Sequence, residues 1–396
     1  MDYHYNTLIV GGGPSGSSCG ISLLKGGASC CIVERYSFPR VKLCAGLFTG
    51  KSQDCLRSVL GQDVYDDVMR KVLMAKEDTF SLYKGMTSLV SCNLQKEENQ
   101  PVALRHTDCR IRLVNRPLLD ELLIKHFVSL GGMLVENDAV KDIDFDAKVA
   151  TLVSGRTIRY EHLVAADGAN STTEHLLAKY DEGFVKKDKS AMCIEINVDR
   201  SDLDVTGVNI YFDIVKGSYA WVFSKGEKVC IGLVKLPWQS DVDVNVNRTM
   251  LSFCDMLGVK NMDKYPLRGA MLPFGNILPK PVWKDSVYFV GDAAGLVEPL
   301  TGEGIYYALQ SGQYAAESII ADSTNVYMEK VAYLHALINK GRYYQSLLEK
   351  KFTSKLFFCH AHRHPHFISH FYLTQIEHAT LDSFLKIVWK YKCKKQ

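Results

Sequence analysis

The chain has 396 residues, which is enough for two or three domain-sized units with a sizeable core. Hydrophobic residues make up 47% of it and charged residues 23%, proportions that are typical of a soluble globular enzyme. The net charge is only +3 and no basic stripe is interleaved with aromatic residues, so no nucleic-acid partner is expected. No apolar run approaches the roughly 18 residues that span a bilayer.

The 12 cysteines are scattered without a C-x-x-C pair, and Cys30 and Cys31 are adjacent inside a predicted strand. This pattern matches neither a zinc site nor a disulfide framework. The first strand begins too near the N-terminus to leave room for a signal peptide. A reducing cytoplasm is therefore the expected location.

Residues 6–34 predict a strand, a glycine turn, a helix and a second strand. The apolar run at 8–10 is typical of a buried parallel strand, and a G-x-G-x-x-G turn follows it. Gly11 permits the tight turn, Gly13 lets the backbone approach a pyrophosphate, and Gly16 lets helix and strand pack.

The helix that follows this turn ends at the glycine pair 26–27, where a C-cap is expected. Its N-terminus offers free N–H groups and a positive dipole end to a pyrophosphate. Glu34 ends the second strand, where a carboxylate can accept hydrogen bonds from both ribose hydroxyls of an adenosine. These elements in this order predict a dinucleotide site, and they do not by themselves distinguish FAD from NAD.

The next hundred residues predict a loop at 35–52, a helix at 53–75 and strands with polar connections at 78–112. Cys44 lies in the loop, and by itself this position favours a half-buried structural cysteine. A proline-started helix begins at Asn115 and ends at a glycine pair.

Further strands are predicted at 133–135 and 163–166, with a hairpin at 148–160 that turns at Ser154-Gly155. Asp167 and Gly168 end the strand at 163–166. An Asp-Gly pair is a common turn, but in a dinucleotide-binding fold the carboxyl end of a strand is also where ligands gather.

Residues 190–275 alternate between apolar and polar and predict an antiparallel sheet with one face free for a substrate. Tyr219, Trp221 and Phe223 share one face of a strand, and ordinary sheet packing explains that spacing as the favoured alternative. A further buried strand at 286–290 ends in Gly291-Asp292.

A glycine-rich loop follows that strand and leads through Gly302, Glu303 and Gly304 into a long helix that begins at about Ile305. The start of this helix is a second predicted anion-stabilising terminus.

The glycine turn, Asn115-Arg116, Asp167-Gly168 and Gly291-Asp292 together resemble the FAD-dependent oxidoreductases that are built like aromatic hydroxylases. Within that group the chain is most similar to the geranylgeranyl reductase family. The similar segments are K-x-C-x-G at 42–46, Y-x-W-x-F at 219–223 and G-D-A-A-G…P-x-T-G-E-G-I at 291–305. The resemblance covers about residues 5–325, and the last segment is the most specific.

The resemblance implies an α/β fold in which a Rossmann-like FAD-binding domain is interleaved with an antiparallel-sheet substrate domain. The implied FAD-binding domain comprises 1–75, 105–180 and 276–325, the substrate domain comprises 76–104 and 181–275, and 326–396 form a C-terminal helical region.

Carried over by position, the resemblance implies that the glycine turn holds the pyrophosphate and Glu34 the adenosine ribose. Arg116 is expected at the FAD phosphate or ribitol region and Asp292 at the ribitol hydroxyls. Residues 302–304 are expected beside flavin N1 and the C2 carbonyl, where helix N–H groups stabilise the charge of reduced flavin. The implied cofactor-binding residues are Gly11, Gly13, Pro14, Ser15, Gly16, Glu34, Arg35, Cys44, Ala45, Arg116, Asp167, Gly168, Gly291, Asp292, Gly302, Gly304 and Ile305.

The resemblance also places Cys44 near the isoalloxazine, as an acid or a redox partner. It implies an apolar substrate cavity lined by Tyr219, Trp221, Phe223 and Pro299. Two departures from the family pattern fall on the substrate side. Ser224-Lys225 stands where Pro-Lys is frequent, and the cysteine loop has one glycine, Gly46, where two are frequent.

The last 71 positions, 326–396, predict helices and contain a histidine run at 360, 362, 364 and 366, with His370 beyond it. An extended run could ligate Zn or Ni, but Pro365 interrupts a helix and no carboxylate partner is evident, so no metal is expected. The basic amphipathic segment 384–395 is a candidate peripheral membrane contact. A terminal helix packed on the domain is the favoured alternative.

The resemblance implies an FAD-dependent oxidoreductase that reduces C=C bonds of an apolar or lipid, isoprenoid-like substrate, with hydride from reduced flavin. No second dinucleotide fingerprint is present, so NAD(P)H that binds transiently or a small redox protein is the expected electron donor. A flavin monooxygenase and a flavin-binding sensor without turnover are the alternatives. The oligomeric state is left open.

Overall fold

The computed structural model describes residues 2–96, 108–185, 190–236 and 245–373. The strands in chain order are β1 (Asp2–Val10), β2 (Cys30–Val33), β3 (Leu47–Phe48), β4 (Leu73–Glu77), β5 (Thr79–Lys84), β6 (Thr87–Asn93), β7 (Ile111–Val114), β8 (Met133–Val135), β9 (Val140–Asp144), β10 (Val149–Leu152), β11 (Thr157–Ala165), β12 (Ala191–Asp199), β13 (Val208–Phe212), β14 (Tyr219–Lys225), β15 (Lys228–Lys235), β16 (Arg268–Leu272), β17 (Val282–Trp283) and β18 (Val287–Phe289). The α-helices are α1 (Pro14–Lys25), α2 (Gly50–Leu60), α3 (Gln62–Val72), α4 (Arg116–Ser129), α5 (Thr172–Tyr180), α6 (Val246–Leu257), α7 (Ile305–Ile320), α8 (Thr324–Glu349), α9 (Lys351–Arg363) and α10 (Pro365–Phe371).

The first sheet has eight strands in the order β17-β18-β11-β1-β2-β8, with β10 joined to β11 and β9 joined to β10. Its centre is parallel, because β1 pairs in parallel with both β2 and β11, and β11 pairs in parallel with β18. Leu8, Ile9 and Val164 are fully buried there, as expected when helices cover both faces of a parallel sheet. The predicted strand, turn, helix and strand at the N-terminus are confirmed.

The second sheet has seven strands in the order β16-β12-β15-β14-β13-β5-β6. All neighbours are antiparallel except β13 and β5. The antiparallel sheet predicted for 190–275 is therefore present, and β5 and β6 from earlier in the chain extend it. A third, three-stranded sheet, β3-β7-β4, completes the set of sheets in the described residues.

One predicted helix is wrong in its extent. Residues 53–75 were expected to form a single helix, but α2 ends at Leu60, α3 begins at Gln62 and β4 begins at Leu73. Gly61 separates the helices with φ +86°, a conformation that favours glycine and interrupts a helical path.

The C-terminal helices return to the second sheet. The long helix α8 packs on α7, and α9 and α10 pack against β6. The histidine run is divided between α9 and α10, and His362 Nδ1 lies 2.9 Å from the carbonyl oxygen of Leu89. No group of three His, Cys, Asp or Glu side chains in the described residues could hold a metal ion.

Across the same described ranges, no helix combines the length and the apolar character that a membrane crossing requires. The basic segment 384–395 lies outside the described residues.

Candidate cofactor and substrate site

A cavity of about 1040 Å³ extends from the carboxyl ends of β1 and β2 to one face of the seven-stranded sheet. Most of the predicted site residues line it. These are Gly11, Gly13, Pro14, Ser15, Glu34, Arg35, Cys44, Ala45, Arg116, Asp167, Gly168, Tyr219, Trp221, Phe223, Asp292, Gly302, Gly304 and Ile305.

Gly16, Gly291 and Pro299 are absent from the lining. A β-carbon at Gly16 would stand 2.0 Å from the carbonyl oxygen of Gly11, which fits the packing role predicted for it. Gly291 faces Ser15, since its β-carbon would stand 2.9 Å from that hydroxyl. Pro299 is buried against Gly275 and does not border the cavity, so its predicted place among the lining residues is corrected.

Close backbone contacts shape the glycine turn. Gly11 has φ +103°, and a β-carbon there would stand 2.5 Å from the carbonyl oxygen of Ala166 at the end of β11. Gly13 is the N-cap of α1 and Pro14 follows it, with no side chain bonded to the first turn. The turn therefore leaves backbone N–H groups available toward the cavity, where an anion would be stabilised.

A second helix begins at the cavity in the same way. Gly304 is the N-cap of α7 and supplies no side-chain cap. By contrast, α2, α4 and α5 begin with Thr49, Asn115 and Ser171, and each of these side chains accepts a hydrogen bond from its own first turn. The two uncapped termini at the cavity are suited to negatively charged groups of a ligand.

Glu34 belongs to a line of alternating charges. Its Oε2 accepts a hydrogen bond from the N–H of Gly12 at 3.0 Å and lies 3.3 Å from Arg40 Nε. Arg40 Nη2 lies 3.4 Å from Asp120 Oδ2, and Arg116 Nη2 lies 3.0 Å from Asp120 Oδ1. Arg40 and Asp120 were not predicted, because nothing in their local sequence pattern pairs a loop arginine with an acid on α4.

Arg116 is buried between an acid and a thiol. Burial alone would lower the pKa of its guanidinium, but Asp120 and Cys44 outweigh burial and raise that pKa above its usual value. Cys44 is half-buried, and its Sγ accepts a hydrogen bond from the N–H of Gly46 at 3.3 Å. A permanent positive charge therefore stands beside the predicted functional cysteine.

Two acids end neighbouring strands. Asp167 Oδ2 accepts hydrogen bonds from the N–H and hydroxyl of Thr173 at 2.9 and 3.1 Å, whereas its buried Oδ1 has no hydrogen-bond partner within the described residues. Burial raises the pKa of Asp167. Asp292 lies 3.9 Å from Lys42 Nζ, and a β-carbon on Gly304 would stand 3.4 Å from its Oδ1.

The loop at 298–304 is held by two buried carboxylates that the sequence analysis did not single out. Glu298 accepts the N–H groups of Leu300 and Thr301 at 3.0 and 2.8 Å. Glu303 accepts a hydrogen bond from Thr49 Oγ1 and pairs with Lys51 Nζ, each at 2.6 Å. Glu298 thus binds backbone within the loop, and Glu303 binds the start of α2, so the loop backbone is fixed before α7.

The aromatic face meets this loop. Gly302 has φ +73°, and a β-carbon there would stand 2.9 Å from the Tyr219 hydroxyl. Trp221 lies over Gly232 of β15, whose β-carbon would stand 2.0 Å from the indole ring. The three aromatic residues of β14 therefore border the cavity next to the start of α7.

The C-terminal helices form the opposite apolar wall of the cavity. This wall was not predicted, because periodicity does not say which surface a terminal helix covers. Its members include Tyr343, Tyr344, Leu347, Leu348, Leu356, Phe357, Phe367, Ile368, Phe371 and Tyr372.

Comparison with known proteins places this site in a family. Residues 4–324 match the family model described as an FAD binding domain. An uncharacterised protein of Methanosarcina barkeri is 30% identical over 319 residues, which span 80% of this chain and 74% of that protein. The geranylgeranyl diphosphate reductase of Rhodobacter capsulatus is 27% identical over 331 residues, which span 80% of this chain and 75% of that protein.

Two solved structures share the fold. A geranylgeranyl bacteriochlorophyll reductase-like protein from Thermoplasma acidophilum has a TM-score of 0.76 at 17% identity, over 100% of this chain and 98% of that chain. The p-nitrophenol 4-monooxygenase from Pseudomonas putida DLL-E4 has a TM-score of 0.70 at 19% identity, over 91% of this chain and 94% of that chain.

The chain therefore belongs to the FAD-binding domain family, the class of oxidoreductase that its fold and site define. Its similarity to geranylgeranyl reductases, at 27% identity to the Rhodobacter capsulatus enzyme, confirms the predicted resemblance. The residues present fit FAD, because two uncapped helix N-termini and the unsatisfied Oδ1 of Asp167 line the same cavity.

Proposed function

We propose that this protein reduces carbon–carbon double bonds in an apolar, isoprenoid-like substrate. The observation that supports this most is the continuity of the cavity, which joins the FAD site to the aromatic face of β14 and to the apolar wall of the C-terminal helices. Relatives in Rhodobacter capsulatus and Methanocaldococcus jannaschii are named as geranylgeranyl diphosphate and digeranylgeranylglycerophospholipid reductases. An extended apolar substrate suits such a cavity.

FAD, when bound and reduced, supplies the hydride. In this proposal the N-terminus of α1 holds the pyrophosphate, Glu34 the adenosine ribose and Asp292 the ribitol. The N-terminus of α7 stabilises negative charge on the reduced ring. Arg116 holds its charge beside Cys44, and the apolar walls exclude water from the substrate.

We also propose an electron donor and a membrane contact for this protein. NAD(P)H that binds transiently or a small redox protein supplies the electrons, because one dinucleotide fingerprint is already assigned to FAD. The basic segment 384–395 brings the enzyme to an anionic membrane surface that contains its lipid substrate.

A flavin monooxygenase is the second candidate, because p-nitrophenol 4-monooxygenase shares the fold. The experiment that separates the two is anaerobic reduction of the purified yellow protein, followed by mixing with air or with a prenylated lipid. We expect the lipid to reoxidise the flavin and to gain two hydrogens per turnover. Reoxidation by air alone, with an oxygen atom added to a co-supplied substrate, would replace the reductase with the monooxygenase. A protein that turns over neither substrate would be a flavin-binding sensor.

The cofactor roles have their own test. Glu34→Ala and Asp292→Ala remove the two carboxylates assigned to FAD, so both variants are expected to purify with little flavin. Glu161→Ala is the control, because Glu161 is an exposed carboxylate paired with His4. Full yellow colour in both site variants would contradict these two assignments.

A further inference from the structure

A buried acid stands on the substrate face of the second sheet. Glu195 of β12 pairs with Gly232 of β15, and Gly232 pairs with Trp221 of β14. Residues directly opposite in antiparallel strands point to the same face. Glu195 therefore shares the face of Trp221, and both residues line the cavity.

Gly232 lets the two side chains be neighbours. It lies between them in the row, and its missing side chain leaves room for the indole of Trp221. The carboxyl group and the aromatic ring consequently flank a position that has no side chain of its own. The apolar substrate of the proposed function would lie over this row.

Glu195 is buried without an ion pair that would compensate a charge on its carboxyl group. The residue is 3% exposed, and its Oε1 accepts a hydrogen bond from Asn197 Nδ2 at 2.9 Å. Within the described ranges no cation forms an ion pair with it at 4 Å or less. A buried carboxyl group without an ion pair favours its neutral, protonated form.

The titratable neighbours of Glu195 on other strands lie on β14, β15 and β16. Lys225 lies on β14, Cys230 on β15, and Arg268 faces Glu195 across the β12–β16 pair. Burial raises the pKa of Glu195, and this effect exceeds the lowering by Asn197, Lys225, Cys230 and Arg268. A proton is therefore retained to a higher pH than on an exposed glutamate.

We propose that Glu195 is the general acid that protonates the substrate. The assignment rests on the proposed function, in which one double bond gains a hydride on one carbon and a proton on the other. The C=C π bond breaks and two C–H bonds form, with reduced flavin as the hydride source and the Glu195 carboxyl as the proton source. The carboxylate that remains is attracted by Lys225 and regains a proton from water after the product leaves.

Glu195 is better placed for this role than Cys44. The thiol lies beside the Arg116 guanidinium at the cofactor end of the cavity, whereas Glu195 stands on the sheet that carries the aromatic substrate face. Lys225 connects the two regions, because its Nζ would lie 3.0 Å from a β-carbon on Gly46 in the cysteine loop.

Infrared difference spectroscopy tests the protonation directly and needs no turnover. Glu195→Gln is close to isosteric and keeps the amide contact with Asn197 possible. Subtracting its spectrum from that of the parent protein, both with FAD, is expected to show a protonated-carboxyl band that persists well above the ordinary glutamate pKa of about 4.3. Glu161→Gln is the matched control and should show no such band. A parent spectrum without that band would overturn the proposal.

Turnover supplies the second test. With a prenylated lipid, Glu195→Gln should slow alkene-dependent flavin reoxidation by roughly 10²- to 10⁴-fold, the usual contribution of a general acid. The flavin spectrum and FAD affinity should stay unchanged, and Glu195→Asp should recover part of the rate. A parent enzyme that reduces the lipid together with a fully active Glu195→Gln variant refutes the acid role alone. A parent enzyme that reduces no alkene refutes the proposed function and the acid role with it.

Discussion

Gly341 of α8 lies against the buried carboxylate of Glu298, because a β-carbon at position 341 would stand only 1.7 Å from Oε1. Glu298 also accepts the N–H groups of Leu300 and Thr301 at 3.0 and 2.8 Å. Helix α8 thus contacts Glu298, which holds the 298–304 loop. A side chain at position 341 would displace that carboxylate. This contact links the apolar wall of the cavity to the residues at the start of α7.

Gly341→Ala is expected to destabilise the protein, although alanine is the better helix former by about 1 kcal/mol. The added methyl group must push Glu298 aside, and overpacking of this kind costs about 1–3 kcal/mol. Chemical denaturation monitored by circular dichroism gives the free energy of unfolding. Asn339→Ala, an exposed position on the same helix, should be neutral or slightly stabilising. Equal stability of the Gly341 variant and the parent would contradict the contact.

Lys51 and Lys71 offer two ion pairs of equal length and different burial. Lys51 Nζ lies 2.6 Å from Glu303 with exposures of 9% and 7%, and Lys71 Nζ lies 2.6 Å from Asp67 with exposures of 53% and 47%. Lys51→Met leaves a buried carboxylate without its cation and should cost about 3 kcal/mol. Lys71→Met should cost at most about 0.5 kcal/mol.

The measurement for this pair is urea denaturation of both variants, with FAD affinity determined in parallel. Glu303 fixes the loop before α7, so the Lys51 variant should also bind FAD more weakly. Similar losses of stability in the two variants would mean that burial does not set the strength of the Lys51 pair.

Gly232→Ala tests the substrate face. The β-carbon would stand 2.0 Å from the Trp221 ring, so the indole must move into the cavity. We expect KM for the prenylated substrate to rise about tenfold, the scale of one misplaced methyl group in an apolar pocket. Gly269→Ala is the control, because its β-carbon would lie 3.7 Å from the nearest atom outside its neighbours. Steady-state kinetics that show no change in KM would place the substrate elsewhere.

The contacts of Asp138 are expected to stabilise the folded protein by an amount that falls at low pH. Its carboxylate accepts the N–H of Ala139 at 3.0 Å, the N–H of Ser154 at 3.2 Å and the guanidinium of Arg156 at 2.8 Å. Burial alone would raise its pKa, but the hydrogen bonds from Ser154, Arg156 and Ala139 lower it below the usual value. The stabilisation is therefore present above the unfolded pKa near 3.9 and is lost as the pH falls below it.

Asp138→Asn should cost about 1 kcal/mol at neutral pH, because the hydrogen bonds to a charged acceptor weaken. The difference from the parent should shrink as denaturation is repeated from pH 6 toward pH 3. Asp142→Asn, at an exposed position of β9, should show a small and constant difference. A penalty for Asp138→Asn that stays constant over this range would exclude the carboxylate as its cause.

Much of the FAD half of the site follows from the sequence because its signals are local. The glycine spacing defines the turn after β1, and Asn115 with Pro117 defines the start of α4. Glycines and caps act within a few residues of themselves, so their conformational effect can be predicted without the rest of the chain. The single helix predicted at 53–75 is wrong for an equally local reason, because Gly61 breaks the helical path.

Local sequence patterns predict the nucleotide-binding strand, turn and helix, the two classes of sheet and most of the residues that border the cofactor cavity. How distant residues meet depends on the folded chain. Thr49 and Glu303 are 254 positions apart, and the charges from Glu34 to Arg116 come from a loop, a strand end and a helix. The C-terminal wall and the row from Glu195 to Trp221 arise in the same way, from strand register and helix packing. Burial and partner choice depend on the whole folded chain, and no local pattern encodes them.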